Sequence, residues 1–148
     1  MYPNAKASEI VAVLATIDPV SQGAGSVATG WIPVANFHNF LAAIETGILG
    51  TAATVDAKVQ QAKDSSGTGA KDITGKAITQ IVKASGDTKQ ALINFRGEDL
   101  DNGNGFSYVA LSITVGAAAS LVSAQLYGFT PRYATADAFN QAGVVQII

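Results

Sequence analysis

A single histidine, His38 in VANFHNFLA, and a loop crowded with oxygen donors, RGEDLDNGNG, are the first places where the residue types of this chain could do chemistry. A histidine base needs an acid to orient it and a nucleophile to activate. The chain has no cysteine, and a His-based triad would draw its acid and hydroxyl from distant positions that the sequence cannot place. A packed or surface histidine is the simpler account. The loop gathers Glu98, Asp99, Asp101, Asn102 and Asn104, hard oxygen ligands of the kind calcium takes. It lacks the alternating ligand positions closed by a bidentate acid at position twelve, so an acidic turn explains it without a metal.

Three further constellations fare the same way. The glycines of GTG and GNG are not followed by the Lys-Ser/Thr pair and helix that a phosphate loop needs, and hairpin tips account for them. Asp99, Asp101 and Glu45 could be paired for glycoside hydrolysis, but a chain with 11 acids allows many such pairings. Trp31, Phe37, Phe40, Tyr108 and Tyr127 could line a sugar platform, although core and sheet-edge aromatics are the plainer reading. No catalytic, cofactor-binding or metal-ligating residue is therefore assigned, and no cofactor is expected.

Composition narrows the class. A chain of 148 residues suits one domain over 1–148, and folding at that length removes roughly 68–70% of the accessible surface. Hydrophobic residues make up 48% and charged residues 14%, the latter well under the roughly 25% of an ordinary soluble domain. The exterior must be built of Ser, Thr, Asn, Gln, Gly and Ala, which suits packing against neighbours and equally a bland β domain. A net charge of −2 with scattered cations argues against nucleic acid, because phosphate binding needs clustered Lys and Arg. Zero cysteines exclude a disulfide framework and leave the redox compartment open. SITVGAAASLVSAQLYGF is the longest apolar stretch, but its polar residues and glycines break it into two strands, so no membrane span is expected. No cationic leader precedes an apolar run, and the expectation is a soluble protein made and used without secretion.

The elements that would position any site are strands. In SYVALSITV, Val109, Leu111, Ile113 and Val115 fall on one face and Tyr108, Ala110, Ser112 and Thr114 on the other, which predicts a half-buried strand. QALINFR puts Ala91, Ile93 and Phe95 on one side, with Leu92 blurring the pattern. The turn-rich loop between these two segments predicts that they form an antiparallel pair. Gly116 to Ser120 reads as a turn and Leu121 to Phe129 as another strand, ended by Pro131. In GWIPVANFHNFLAAIETGIL, strand-like ends flank an Ala-rich middle, and a helix over 39–45 stays open. Val55, Ala57 and Val59 alternate with Asp56, Lys58 and Gln60 in a strand whose hairpin partner is ITGKAITQIVKA, part of it open to helix around 76–82. Gly67 and Gly69 let the tip between them turn, and that tip is expected to be floppy until docked. Six to eight strands in all predict an all-β fold: an antiparallel β sandwich, jelly-roll or Greek-key, with at most short helices.

The tails have their own character. MYPNAKAS is expected to be extended. AGVVQII carries no charge and ends in Val144, Val145, Ile147 and Ile148, an aggregation hazard unless covered. It is expected to pair with its own sheet edge or to lie along a neighbouring subunit.

The segments VDAKVQQAKDSSGTGAKDITGKAITQI, KQALINFRGEDLDNGNGFSYVALSITVGAAAS and AQLYGFTPRYATA, together spanning roughly Gly30 to Ala136, resemble a group of small proteins encoded in the structural modules of tailed phages and prophages. The shared features are the strand from Val55 to Lys58, the tip from Gly67 to Ile73, the strand from Lys89 to Arg96, the Gly105-Phe106 pair and the Pro131-Arg132-Tyr133 ending. Several such proteins are similar to capsid cement, or decoration, proteins, which are jelly-roll modules on the outside of the head. The resemblance implies a non-enzymatic virion protein on the capsid surface, made in the bacterial host cytoplasm. Its implied partners are the major capsid protein and further copies of itself, as a dimer or trimer or as neighbours on the shell, with no nucleic acid and no membrane. Gly67, Gly69, Val144, Val145, Ile147 and Ile148 are the partner-binding candidates on that reading. A head-tail connector, a tail or fibre component, and a carbohydrate-binding β-sandwich module are the alternatives.

Overall fold

The computed structural model describes residues 4–148. After one helical turn at Ala7–Ile10, ten strands follow: β1 (Val11–Gln22), β2 (Gly25–Ala28), β3 (Ile32–Pro33), β4 (Phe37–Thr46), β5 (Thr54–Ala62), β6 (Lys71–Ala77), β7 (Ile81–Val82), β8 (Gln90–Arg96), β9 (Tyr108–Gly116) and β10 (Ser120–Pro131). Four make one sheet in the order β1-β10-β4-β8. The others make a second sheet in the order β2-β9-β5-β6, with β3 beside β9 and β7 beside β5. Every pairing is antiparallel. Most connections between consecutive long strands cross from one sheet to the other, which is the eight-stranded jelly roll. The sandwich expected from the sequence is what forms.

Alternation decides which side of each strand is buried. Val55, Ala57 and Val59 of β5 and Val109, Leu111, Ile113 and Val115 of β9 face Phe40, Ala42, Ile44, Ile93, Phe95, Val122, Ala124 and Leu126 of the other sheet. Each such Val, Leu, Ile or Phe contributes roughly 1.5–3 kcal/mol on leaving water. At the β1 side the core closes on Phe37, whose ring packs edge-on against Phe139 with centroids 5.4 Å apart. Gly128 makes this possible, because a Cβ there would sit 2.6 Å from the Phe37 ring.

Several expectations change in three dimensions. β8 and β9 do not pair: β8 lies beside β4 and β9 beside β5, in different sheets. The connecting loop crosses the roughly 10 Å gap between sheets through two 3-10 turns, Gly97–Asp99 and Asn102–Asn104, and inserts Leu100 into the core. β9 is buried on both faces rather than half-buried, Ala110 and Ser112 included, because these two small side chains lie beside the longer Gln60 and Lys58 of β5. Residues 39–45 form strand, not helix: Phe40, Ala42 and Ile44 point inward from β4, which is flanked by β10 and β8. The segment around 76–82 is likewise helix-free, its ends pairing with β5. In the N-terminal tail, Ala7–Ile10 turns helically, closed by the Lys6 amide donating to Glu9 Oε2 at 2.8 Å. The first three residues of that expectation lie outside the described residues.

Candidate functional site

The chemistry-bearing residues stay apart. His38 is exposed, and its side chain makes no hydrogen bond among the described residues. Glu45 pairs with Gln90 at one end of β4, while Asp99 bonds Arg96 beyond the other end, six residues or about 20 Å of strand away. The acids of the 97–104 loop serve the fold. Asp101 accepts from Lys71 at 2.6 Å and from Asn104, its amide donates to buried Gln61 at 2.8 Å, and Asp99 pairs with Lys76 at 3.3 Å. The aromatics do not assemble either. Phe37 and Phe40 are core, Trp31 lies under the hairpin tip, and Tyr108 and Tyr127 are on different sheets. A hollow of about 580 Å³ beside β8 is lined by Asn39, Asn94, Arg96, Lys76 and Glu98. The rings nearest it, Phe40 and Phe95, are buried and stacked on each other at 5.1 Å, leaving no aromatic face for a sugar.

The β5-β6 hairpin forms as expected, but its tip is not floppy. Asp64 Oδ1 accepts the amides of Ser66 at 2.9 Å and Thr68 at 3.1 Å, while the Lys63 amide donates to the Thr68 carbonyl at 3.0 Å. Gly67, at φ +83°, lies against Trp31: a Cβ there would be 2.5 Å from the indole nitrogen. Lys71 and Lys63 approach the Phe106 ring from 4.2 and 5.4 Å. The tip that carries Gly67 and Gly69 is thus a built ledge. Replacing Gly67 by Val forces a branched side chain into a left-handed backbone, at about 1–2 kcal/mol, and displaces Trp31. The expected result is a lower melting temperature with red-shifted emission from the chain's single tryptophan; unchanged emission would show that the tip does not rest on Trp31.

The carboxylates of this surface also set the pH response. The Thr68 hydroxyl and amide hold Asp64 below its ordinary value of 3.8; Lys58 does so for Asp72, Lys83 for Asp87 and Lys71 for Asp101. Their pKa values are lower folded than unfolded, so the unfolded chain binds more protons in acid. The stabilisation is fully present above about pH 4 and disappears as pH falls from 3.8 through the depressed values. Thermal melts across pH 2–7 are expected to be flat down to about pH 4 and to fall below it. A loss of stability already complete by pH 5 would contradict this.

Of the C-terminal candidates, Val145, Ile147 and Ile148 are in the open and Val144 is half-buried. Past the 3-10 turn Ala136–Phe139, the chain touches the free edge of β1: Asn140 Oδ1 accepts the Val13 amide at 2.8 Å and the Gln141 amide donates to the Val13 carbonyl at 2.8 Å. It then turns, with the Val144 amide on the Gln141 carbonyl, and leaves. Val145 is 90% exposed, Ile147 51%, and Ile148 fully. Own-sheet pairing by Val144 to Ile148 is not observed; Asn140 and Gln141 occupy the edge instead.

Sequence reading missed a third surface, the outer face of the four-stranded sheet. Across its strands run the rows Val13-Tyr127-Leu41-Asn94 and Thr16-Gln125-Ala43-Leu92. Leu92 is 61% exposed, and the Tyr127 hydroxyl donates to Gln125 Oε1. Asp18, Glu45 and Arg96 are the charged residues of all four strands. The signal lay in the sequence, in Leu92 breaking its strand's pattern.

Strand order alone makes this an all-β jelly-roll protein. No protein-family model and no curated protein sequence matches the chain. Among solved structures it is similar to the SPBc2 prophage-derived protein YomS, at 10% identity over 80% of this chain and 93% of that one, with a TM-score of 0.45. It is similar also to a Triatoma virus structure, at 10% identity over 87% and 69%, TM-score 0.47. A third is the CBM22-1 xylan-binding domain of Paenibacillus barcinonensis Xyn10C, at 15% identity over 82% and 81%, TM-score 0.39. Likenesses this distant carry nothing about activity. Among the described residues no helix is long and apolar enough to cross a membrane.

Proposed function

We propose that this protein is a structural part of a tailed-phage particle that binds the outside of the head and cements neighbouring major capsid subunits. The reading draws on the resemblance of residues 30–136 to proteins of phage structural modules. The observation that carries it is the nearly charge-free outer face of the four-stranded sheet, because interface cores are depleted in charge. Four strands about 4.8 Å apart and seven residues long present roughly 440 Å² in projection, short of the ~800 Å² per partner of a standard interface. A single copy therefore binds modestly. Repetition over a symmetric shell multiplies such contacts without covalent chemistry.

The module works by binding, so the purified protein is expected to show no hydrolase activity. Particles assembled with its gene deleted are expected to form but to burst at a lower temperature or after milder osmotic shock, because the protein adds binding free energy to the closed shell. Equal shell stability with and without it would count directly against the cement role. A map of the native particle with its density at the neck would make it a connector.

A further inference from the structure

A sheet edge invites another strand unless something blunts it, and three of the four edges here are blunted. β1 carries Pro19 and two register breaks, and Asn140 and Gln141 take both backbone groups of Val13. On β8, Lys76 Nζ donates to the Asn94 carbonyl at 2.9 Å and the Arg96 amide donates to Asp99 at 2.8 Å. The β6 edge is irregular and carries Lys71, Asp72 and Lys76.

β2 has no such protection. No Asp, Glu, Lys or Arg occurs from Pro19 to Ile44. Val27 pairs with Ile113, and the Thr29 amide donates to the Leu111 carbonyl. Alternation along an antiparallel ladder then turns the N–H and C=O of Ser26 and Ala28 away from β9. Among the described residues these backbone groups have no partner. Gly25, Ser26, Ala28 and Gly30 along this edge are small and exposed, so another backbone can approach.

We propose that the β2 edge receives the 143–148 segment of a second copy of this chain as an added strand, in reciprocal exchange. That segment has the complementary deficiency. It is uncharged and free of proline, Val145, Ile147 and Ile148 are exposed while Val144 is half-buried, and beyond Val144 its backbone groups have no partner among the described residues. Six extended residues span about 20 Å, more than the roughly 13 Å of the four-residue β2. Within one molecule the two do not meet, because the segment turns away at Gln141 to Val144 while Ser26 and Ala28 stay unpaired. A second copy supplies both complements, and two-fold symmetry makes the contact twice. Main-chain bonds at Ser26 and Ala28 give the exchange its affinity, and alternate Val and Ile side chains give it area.

Sedimentation of the purified full chain over a dilution series tests this apart from any capsid. The wild type is expected to show a monomer-dimer equilibrium. Deleting residues 143–148, or replacing Ala28 by Pro, is expected to raise the dissociation constant at least about tenfold. The proline removes an N–H that faces away from β9, so circular dichroism is expected to show the sandwich intact. The decisive sample mixes the two variants: one has an edge and the other an arm, so a heterodimer forms that neither makes alone. A monomeric wild type, a dimer that survives either change, or a mixture that stays monomeric overturns the exchange. A monomeric wild type whose deletion still lowers shell stability assigns the arm to a capsid subunit instead. The cement reading stands or falls separately on the particle assay.

Discussion

Phe40→Ala is expected to lower stability by about 3–5 kcal/mol, the range for emptying a buried aromatic position. At this chain length that is a fall of roughly 6–20 °C in melting temperature. Phe40 is almost fully buried, stacked on Phe95 at 5.1 Å and edge-on to Phe37 at 6.2 Å. Three rings from β4 and β8 thus share one cluster, and Phe37 carries the contact on to Phe139. Neighbouring rings held by two strands and a 3-10 turn cannot collapse into the space, which puts the loss at the upper end. Denaturant melts monitored by far-ultraviolet circular dichroism measure it. A loss under 1 kcal/mol would mean that β4 does not face the second sheet.

Leu111→Ala is expected to cost about 2–5 kcal/mol. Leu111 is fully buried at the middle of β9, opposite Val59 on β5, and its amide donates to Thr29 Oγ1 at 3.0 Å. The backbone is held on both sides, so the strand cannot shift to fill the hole. The denaturant slope is expected to stay constant, because the surface exposed on unfolding barely changes. A loss of a few tenths would show that this face of β9 is not buried, and with it the sandwich would fail.

The contrast between Leu111 and Leu92 shows how far the sequence reaches. Period-two alternation marks Val109 to Val115 and Val55 to Val59 as strands with a core face, and those residues are buried in both, although β9 is covered on its second face as well. It marks Leu92 as out of phase, and Leu92 is exposed. The uncharged end of the chain is likewise legible, and Val145, Ile147 and Ile148 are in the open.

What alternation cannot state is the identity of a neighbour. Every backbone offers the same N–H and C=O, so the pattern of β8 and β9 fits a hairpin as well as the two separate sheets that the tertiary structure chose. In the middle of β4 both the inward Phe40, Ala42 and Ile44 and the outward Leu41 and Ala43 are apolar, which blurs the period that would tell strand from helix. The order of the hairpin tip depends on Trp31 and Phe106, far from it in sequence. The bare edge of β2 shows no side-chain pattern, since what matters there is unpaired backbone. The sequence by itself determined an all-β chain, its core faces and its uncharged tail. Only the tertiary structure decided sheet membership, which edges are capped and which one is open, because those follow from contacts between segments whose local sequences are blind to each other.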